Sequence, residues 1–272
     1  MRGGVAVLIS AVLMGTLPYF VKNINLHPFS ITFIRVSFGL VFVSALMIFL
    51  KERPRVSLAL FMLGLVNTGV VAFYISAISM LYAAFAALLL YMAPVYISMY
   101  KLFRGEITTV SLAVTLLGVS GLFLMLYPFG EVNAGIIFGF LSGLLYALLF
   151  TYLRRLRKNY SSLQITFSNL FVGTLLLSPF SIYVKNFEPI YVLLGLIPTA
   201  IPFVLLSYGM RYVKEERGAV IALIEPVVAS FIGFAVFGEV LNLRQLVGAA
   251  TILLASLVST LDKEGEKDVA EG

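Results

Sequence analysis

The sequence predicts an all-α membrane protein of ten transmembrane helices, arranged as two five-helix inverted repeats. Composition, the spacing of charged residues and a self-match at one fixed shift point there. Of 272 residues, 61% are hydrophobic and 12% charged, and the mean hydropathy is +1.03. A soluble domain is roughly 45–50% apolar and a quarter charged, so these charges cannot make a water-facing shell. In a bilayer every backbone N–H and C=O needs an internal partner, which leaves helices or a closed barrel. The apolar runs are about 20 residues long and do not alternate with period two, which decides for helices.

Charged and turn residues cut out the spans in order: Gly4–Lys22, Phe29–Leu50, Val56–Ser79, Tyr82–Phe103, Ile107–Tyr127, Ala134–Leu153, Ser162–Val184, Ile190–Tyr212, Gly218–Gly238 and Asn242–Leu261. The first is read as a permanent span, because Ala11-Val12-Leu13 lacks the small-x-small pattern of a cleavage site. From Val56 to Tyr100 there is no Asp, Glu, Lys or Arg. One helix of that length would reach about 67 Å, twice the hydrocarbon thickness. Two helices with a tight turn near Met80–Tyr82 are therefore expected.

Lysine and arginine set the orientation. With the N-terminus inside, fifteen of them flank the cytoplasmic ends, including Lys101, Arg104, Arg154, Lys214 and Arg217. Lys22, Lys185 and Arg244 lie outside, and Arg35 falls within a span. Both termini are then cytoplasmic, and a multi-pass protein of the cell membrane is expected. This asymmetry also explains the net charge of +6 without nucleic acid. There is no cysteine and a single histidine, His27, so neither a thiolate metal site nor a two-histidine pair can form, and no metal or cofactor is expected. The spans leave the oligomeric state open.

Shifting the sequence by 132 residues places Ser10-Ala11-Val12-Leu13 over Ser142-Gly143-Leu144-Leu145, Leu17 over Leu149, Ala87 over Ala219 and Pro94-Val95 over Pro226-Val227. One further residue of offset matches Gly105-Glu106 to Gly238-Glu239. Residues 1–130 and 131–261 then form one five-span repeat each, and 262–272 an acidic tail expected to be disordered in the cytoplasm. Five is odd, so the halves lie in opposite orientations.

An Ala-rich helix, then Pro-Val, then Gly-Glu about a dozen residues later, occurring in both halves, resembles the EamA-type drug/metabolite transporters. The resemblance covers roughly residues 4–261. It implies ten helices around a central cavity lined by spans 1, 3, 4, 6, 8 and 9, and transport of metabolites such as amino acids. It also implies an arginine near Arg35 in the second span. Phe167, the repeat counterpart of Arg35, departs from that.

Glu225 is the most informative residue. It lies deep in the ninth span, where a carboxylate costs about 2.5–3.5 kcal/mol and should face a cavity or a partner. It is either a site for a proton or a substrate amine, or a neutral acid bonded to a neighbouring helix; its counterpart is Ala93. Arg35 either snorkels to the surface or turns inward to hold a carboxylate or pair with Glu225. Asn67, Tyr74, Ser76, Tyr91, Tyr146, Ser207 and Tyr208 are candidate cavity-lining residues, tyrosine offering both a stacking face and a hydroxyl. Tyr82, Tyr100, Tyr127 and Tyr212, at span ends, read as interface anchors. Pro94 and Pro226 free the carbonyls of Leu90 and Ala222 and are candidate hinges, against a packing kink as the alternative; Pro18, Pro198 and Pro202 free carbonyls in the first and eighth spans. Glu106 and Glu239 read as caps on the helices that follow. Gly135, Gly139 and Gly143 read as a ridge for close helix packing.

These features favour a secondary carrier for an amino-acid-like or amphipathic solute, with lipid around it and with or without proton coupling. The alternative is an intramembrane enzyme acting on a lipid or small amphipathic substrate, but one deep glutamate is thin support for it. No phosphate-binding loop and no charge ring or carbonyl filter is visible, which argues against ATP-driven transport and against a channel.

Overall fold

The computed structural model describes residues 2–81, 83–127, 133–238 and 240–261, without the side chains at 2, 79, 83 and 84. Ten helical segments among them are long and apolar enough to cross a bilayer. The first span is α1 (Arg2–Met14) with α2 (Leu17–Asn23), the second α3 (Pro28–Phe49) and the third α4 (Leu58–Met80). The fourth is α5 (Ala83–Leu90) with α6 (Ala93–Phe103), the fifth α7 (Thr109–Leu126) and the sixth α8 (Gly135–Leu156). The seventh is α9 (Ser162–Leu177) with a 3₁₀ turn, Ser178–Tyr183. The eighth is α10 (Pro189–Gly195) and α11 (Ile201–Gly209), joined by a π-helical turn, Leu196–Ala200. The ninth is α12 (Glu215–Ala222) with α13 (Ile224–Phe237), and the tenth α14 (Leu243–Leu261). Ile48, Leu116, Phe231 and Leu254 are exposed, as lipid-facing side chains must be.

Proline marks the interruptions. Pro18, Pro94 and Pro226 each sit in the first turn of the helix that restarts after a break, where a missing N–H costs nothing. Polar caps start two of the uninterrupted helices: Ser57 accepts from the Leu60 N–H, and Thr108 from that of Ser111. Ser161 and Gln164 form a reciprocal capping box on α9.

Three expected boundaries move. The eighth span stops at Gly209 rather than Tyr212, and the seventh tightens into its 3₁₀ turn where Pro179 enters. The ninth starts at Glu215 rather than Gly218, because two acids suit the N-terminal turn of α12. That shift takes Arg217, read above as a flanking charge, into the helix and out of solvent. Glu106 is not the cap of α7. Thr108 is, and Glu106 pairs instead with Arg104 at 2.7 Å on the surface. The anchor role read for Tyr82, the cap role of Glu239 and the tail 262–272 lie outside the described residues.

Ten spans bring Gly3 and Leu261 to the same face, called here the N-face; the opposite one is the far face. The closest packing joins spans 1 and 8, 2 and 7, 3 and 6, and 5 and 10. The glycine ridge of α8 lies against α5: a Cβ on Gly139 would strike the Leu89 side chain, and one on Gly143 the Leu89 carbonyl. In a membrane, where apolar surfaces gain nothing by leaving lipid, such close backbone approach is the packing force.

Candidate functional site

A cavity of about 610 Å³ opens among spans 1, 2, 3, 4, 6, 8 and 9. The second span was not among those implied by the resemblance; it contributes Arg35, Thr32 and Phe29. The lining continues to Val21, His27 and Ile78, at the far-face ends of spans 1, 2 and 3, so the cavity faces that side. Its size lies within the range of small-molecule sites, and its walls are largely apolar with a few polar groups converging.

Glu225 sits in the first turn of α13, just past the break that separates it from α12. Tyr91, in the break between α5 and α6, donates its hydroxyl to Glu225 Oε2 at 2.9 Å. Tyr146 of α8 reaches Oε1 at 3.3 Å, and the two phenol rings meet edge-on, 6.2 Å apart. Gly15, in the break of the first span, allows this approach: a Cβ there would lie 2.9 Å from the Glu225 carbonyl oxygen.

Arg35 turns inward, and two prolines explain what holds it. Pro202 has no N–H, which leaves the carbonyl of Pro198 without its helical donor; Arg35 Nη2 donates to that carbonyl at 3.2 Å. Pro198 in turn deprives Leu194, and the Thr199 hydroxyl donates to the Leu194 carbonyl at 2.9 Å. The same hydroxyl oxygen accepts from Arg35 Nε at 3.0 Å. Phe203 adds an aromatic face 5.5 Å from the guanidinium carbon. Arg35 and Glu225 line one cavity, yet among the described residues they form no ion pair with each other.

Asn67, Tyr74 and Ser76 join them on the cavity wall. Ser207 does not: it lines a separate pocket of about 40 Å³ on the N-face side, which Asn67 also touches. Tyr208 lines neither; it is exposed and packs on Tyr212, with rings 5.5 Å apart. Pro94 and Pro226 stand at the two breaks beside the site rather than in its wall.

Below the cavity, toward the N-face, is a buried ionic cluster. Lys101 Nζ lies 2.6 Å from Glu216 and 3.1 Å from Glu215, and Arg154 Nε is 3.2 Å from Glu215. Arg217 Nε donates to Ser111 at 2.9 Å. It ties spans 4, 5, 6 and 9 together at that face. Sequence reasoning missed the pairing and missed Thr199. The first was hidden because Lys101 and Arg154 read as orientation signals, and the second because a lone threonine beside a proline has no distinctive pattern.

The model of the EamA-like transporter family matches residues 1–127 and again residues 133–261. The chain belongs to the EamA-like transporter family. This EamA-like chain is 44% identical to an "Uncharacterized transporter" of Archaeoglobus fulgidus over 260 residues, 94% of this chain and 96% of that one. A shorter stretch of 75 residues is 28% identical to "Uncharacterized transporter YcbK" of Bacillus subtilis, covering 28% and 24% of the two chains. A solved crystal structure superposes with a TM-score of 0.83 over 95% of this chain and 98% of the other; at 18% identity it speaks for the fold alone. The protein is thus a multi-pass membrane transporter, with ten membrane-spanning segments among the described residues.

Proposed function

We propose that this EamA-like transporter is a secondary carrier for a small zwitterionic or amphipathic, amino-acid-like solute, working by alternating access across the cell membrane. One observation carries the reading: a guanidinium and a carboxylate share a single cavity, each held by uncharged partners and not by the other. A zwitterion supplies both missing counter-charges, its carboxylate toward Arg35 and its ammonium toward Glu225. Tyr74, Tyr91 and Tyr146 offer stacking surface for the remainder of the solute. The positive-residue bias supports a cytoplasmic N-face, and the twofold family match supports reading the halves as inverted repeats. Glu225 is also the carboxylate that lines the cavity, which makes it the candidate position for a coupling proton.

Counterflow in proteoliposomes with a panel of amino acids, sugars and cationic drugs tests this. Saturable exchange of zwitterions and weak exchange of sugars is the expected result. Product formation without flux would favour an enzyme instead, and absence of saturable exchange across the panel would sink the carrier.

A further inference from the structure

The small pocket of about 40 Å³ adjoins the cavity, and four side chains line both spaces: Met14, Asn67, Tyr146 and Phe203. Two of the four touch the charged groups. The Tyr146 hydroxyl reaches Glu225 Oε1 at 3.3 Å, and the Phe203 ring lies 5.5 Å from the Arg35 guanidinium carbon. The boundary between the spaces therefore runs beside both charges, where the α-carbon of a bound zwitterion would stand. We infer that the pocket is a side-chain subsite, selective for an amino acid whose side chain is short, uncharged and able to donate a hydrogen bond. The inference rests on the carrier reading above and narrows the solute within it.

The polar lining carries the argument. Thr166 and Asn169, three residues apart on one face of α9, are buried, as is Ser207 of α11. Among the described residues, the hydroxyls of Thr166 and Ser207 and the Asn169 carbonyl oxygen find no hydrogen-bond partner. Hydroxyls within membrane helices commonly return to the carbonyl three or four residues back, as those of Ser44, Thr68 and Thr151 do here. Thr166 and Ser207 do not, and both line the pocket with Asn169. Stranded polar groups are costly to bury, and three at one pocket point to an occupant.

Their chemistry fixes its class. A carbonyl oxygen only accepts, and each hydroxyl can donate or accept, so the occupant must bring a donor. Among the described residues no charged side chain lines the pocket, which leaves a carboxylate or an ammonium there without a counter-charge. Size sets the upper bound. With about 10–15 Å³ for each water-sized group, about 40 Å³ takes roughly three. That matches the side chain of serine or threonine and excludes an aromatic ring. Leu149, Ile165 and Leu206 supply apolar walls for its carbons.

Isosteric pairs test this by counterflow in proteoliposomes. Valine has the shape of threonine without the hydroxyl, and 2-aminobutyrate that of serine. A site built around hydrogen bonds rejects an analogue lacking the group, so threonine should exchange at least about tenfold faster than valine at equal low concentration. Ser207→Ala and Thr166→Val each remove one partner from the pocket, and the threonine-to-valine ratio should fall toward one in both. Glycine, with no side chain, reports the charged pair alone. Glycine exchange with threonine and valine carried equally means that the pocket takes water only; it overturns the inference and leaves the carrier standing. Variants that slow threonine and valine by the same factor overturn it too, since the hydroxyls then serve the fold and not the solute. If the variants are not monodisperse, the serine-to-aminobutyrate ratio of the unaltered protein decides, and a ratio near one overturns the inference. Failure of glycine and of every other zwitterion to exchange overturns the carrier reading, and this inference with it.

Discussion

Tyr91 and Glu225, 134 residues apart, meet at 2.9 Å because each stands at the interruption of its own span. A phenol donor keeps the carboxylate in place without neutralising it, so the acid stays able to bind a cation. Glu225→Gln keeps the size and the neutral hydrogen bonds but loses the charge. Solute exchange should fall by about tenfold or more, in line with the roughly 1.5–3 kcal/mol of a hydrogen bond to a charged group, while the protein stays monodisperse. Initial rates of counterflow check this; wild-type rates would remove Glu225 from the site.

The same residue fixes the sign of a pH effect. A proton on Glu225 cancels its attraction for an ammonium group, so the affinity for a zwitterion should weaken as the pH falls. Glu225→Gln should bind with a flat pH profile. Binding measured by thermal stabilisation at several pH values separates the two, because a ligand preferring the folded state shifts the melting point by mass action. A wild-type profile as flat as the variant's would argue against a proton at this position.

The carbonyls freed by Pro198 and Pro202 need Thr199 and Arg35. Thr199→Val keeps the shape but leaves the Leu194 carbonyl and Arg35 Nε without their partner, at about 1–3 kcal/mol for each stranded group. Lower thermal stability in detergent is expected. Arg35→Lys should not restore function, since one ammonium cannot reproduce the two-nitrogen grip on Thr199 and the Pro198 carbonyl. Full activity in the lysine variant would mean that charge alone matters.

Gly143→Ala places a methyl against the Leu89 carbonyl and should destabilise the contact between α8 and α5 by about 1–3 kcal/mol. Tyr208→Phe, by contrast, should exchange solute at the wild-type rate, because Tyr208 lines neither cavity nor pocket. A tenfold loss in Tyr208→Phe would require a second route past the eighth span.

The ten spans were legible because the bilayer demands long apolar helices, and the uncharged run from Val56 to Tyr100 divides near Met80 as its length required. Glu225 was legible because an ionisable group at that depth is rare. Other parts of the site were less so. Whether Arg35 points in or out depends on the Pro198 carbonyl, made available 163 residues later, and no local pattern records that. Ser207 and Tyr208 are neighbours in sequence with equal claims on the cavity. A turn of roughly 100° per residue sends one to the N-face pocket and the other to the surface. Lys101 illustrates the converse: counting lysines and arginines to orient the chain treats it as solvated, and the structure buries it against Glu216.

The pairing of spans 1 with 8, 2 with 7, 3 with 6 and 5 with 10 bears on biogenesis. When the fifth span has left the ribosome, the surfaces of the first, second, third and fifth that will meet these partners are still unmatched. At about 5–20 residues per second, the remaining half takes on the order of ten seconds to emerge. Through that interval the interrupted helices around Gly15 and Tyr91 expose backbone polar groups that lipid cannot satisfy. The early spans should therefore linger beside the insertion machinery rather than disperse, and a chain truncated after the fifth span should be degraded rather than accumulate as a stable half.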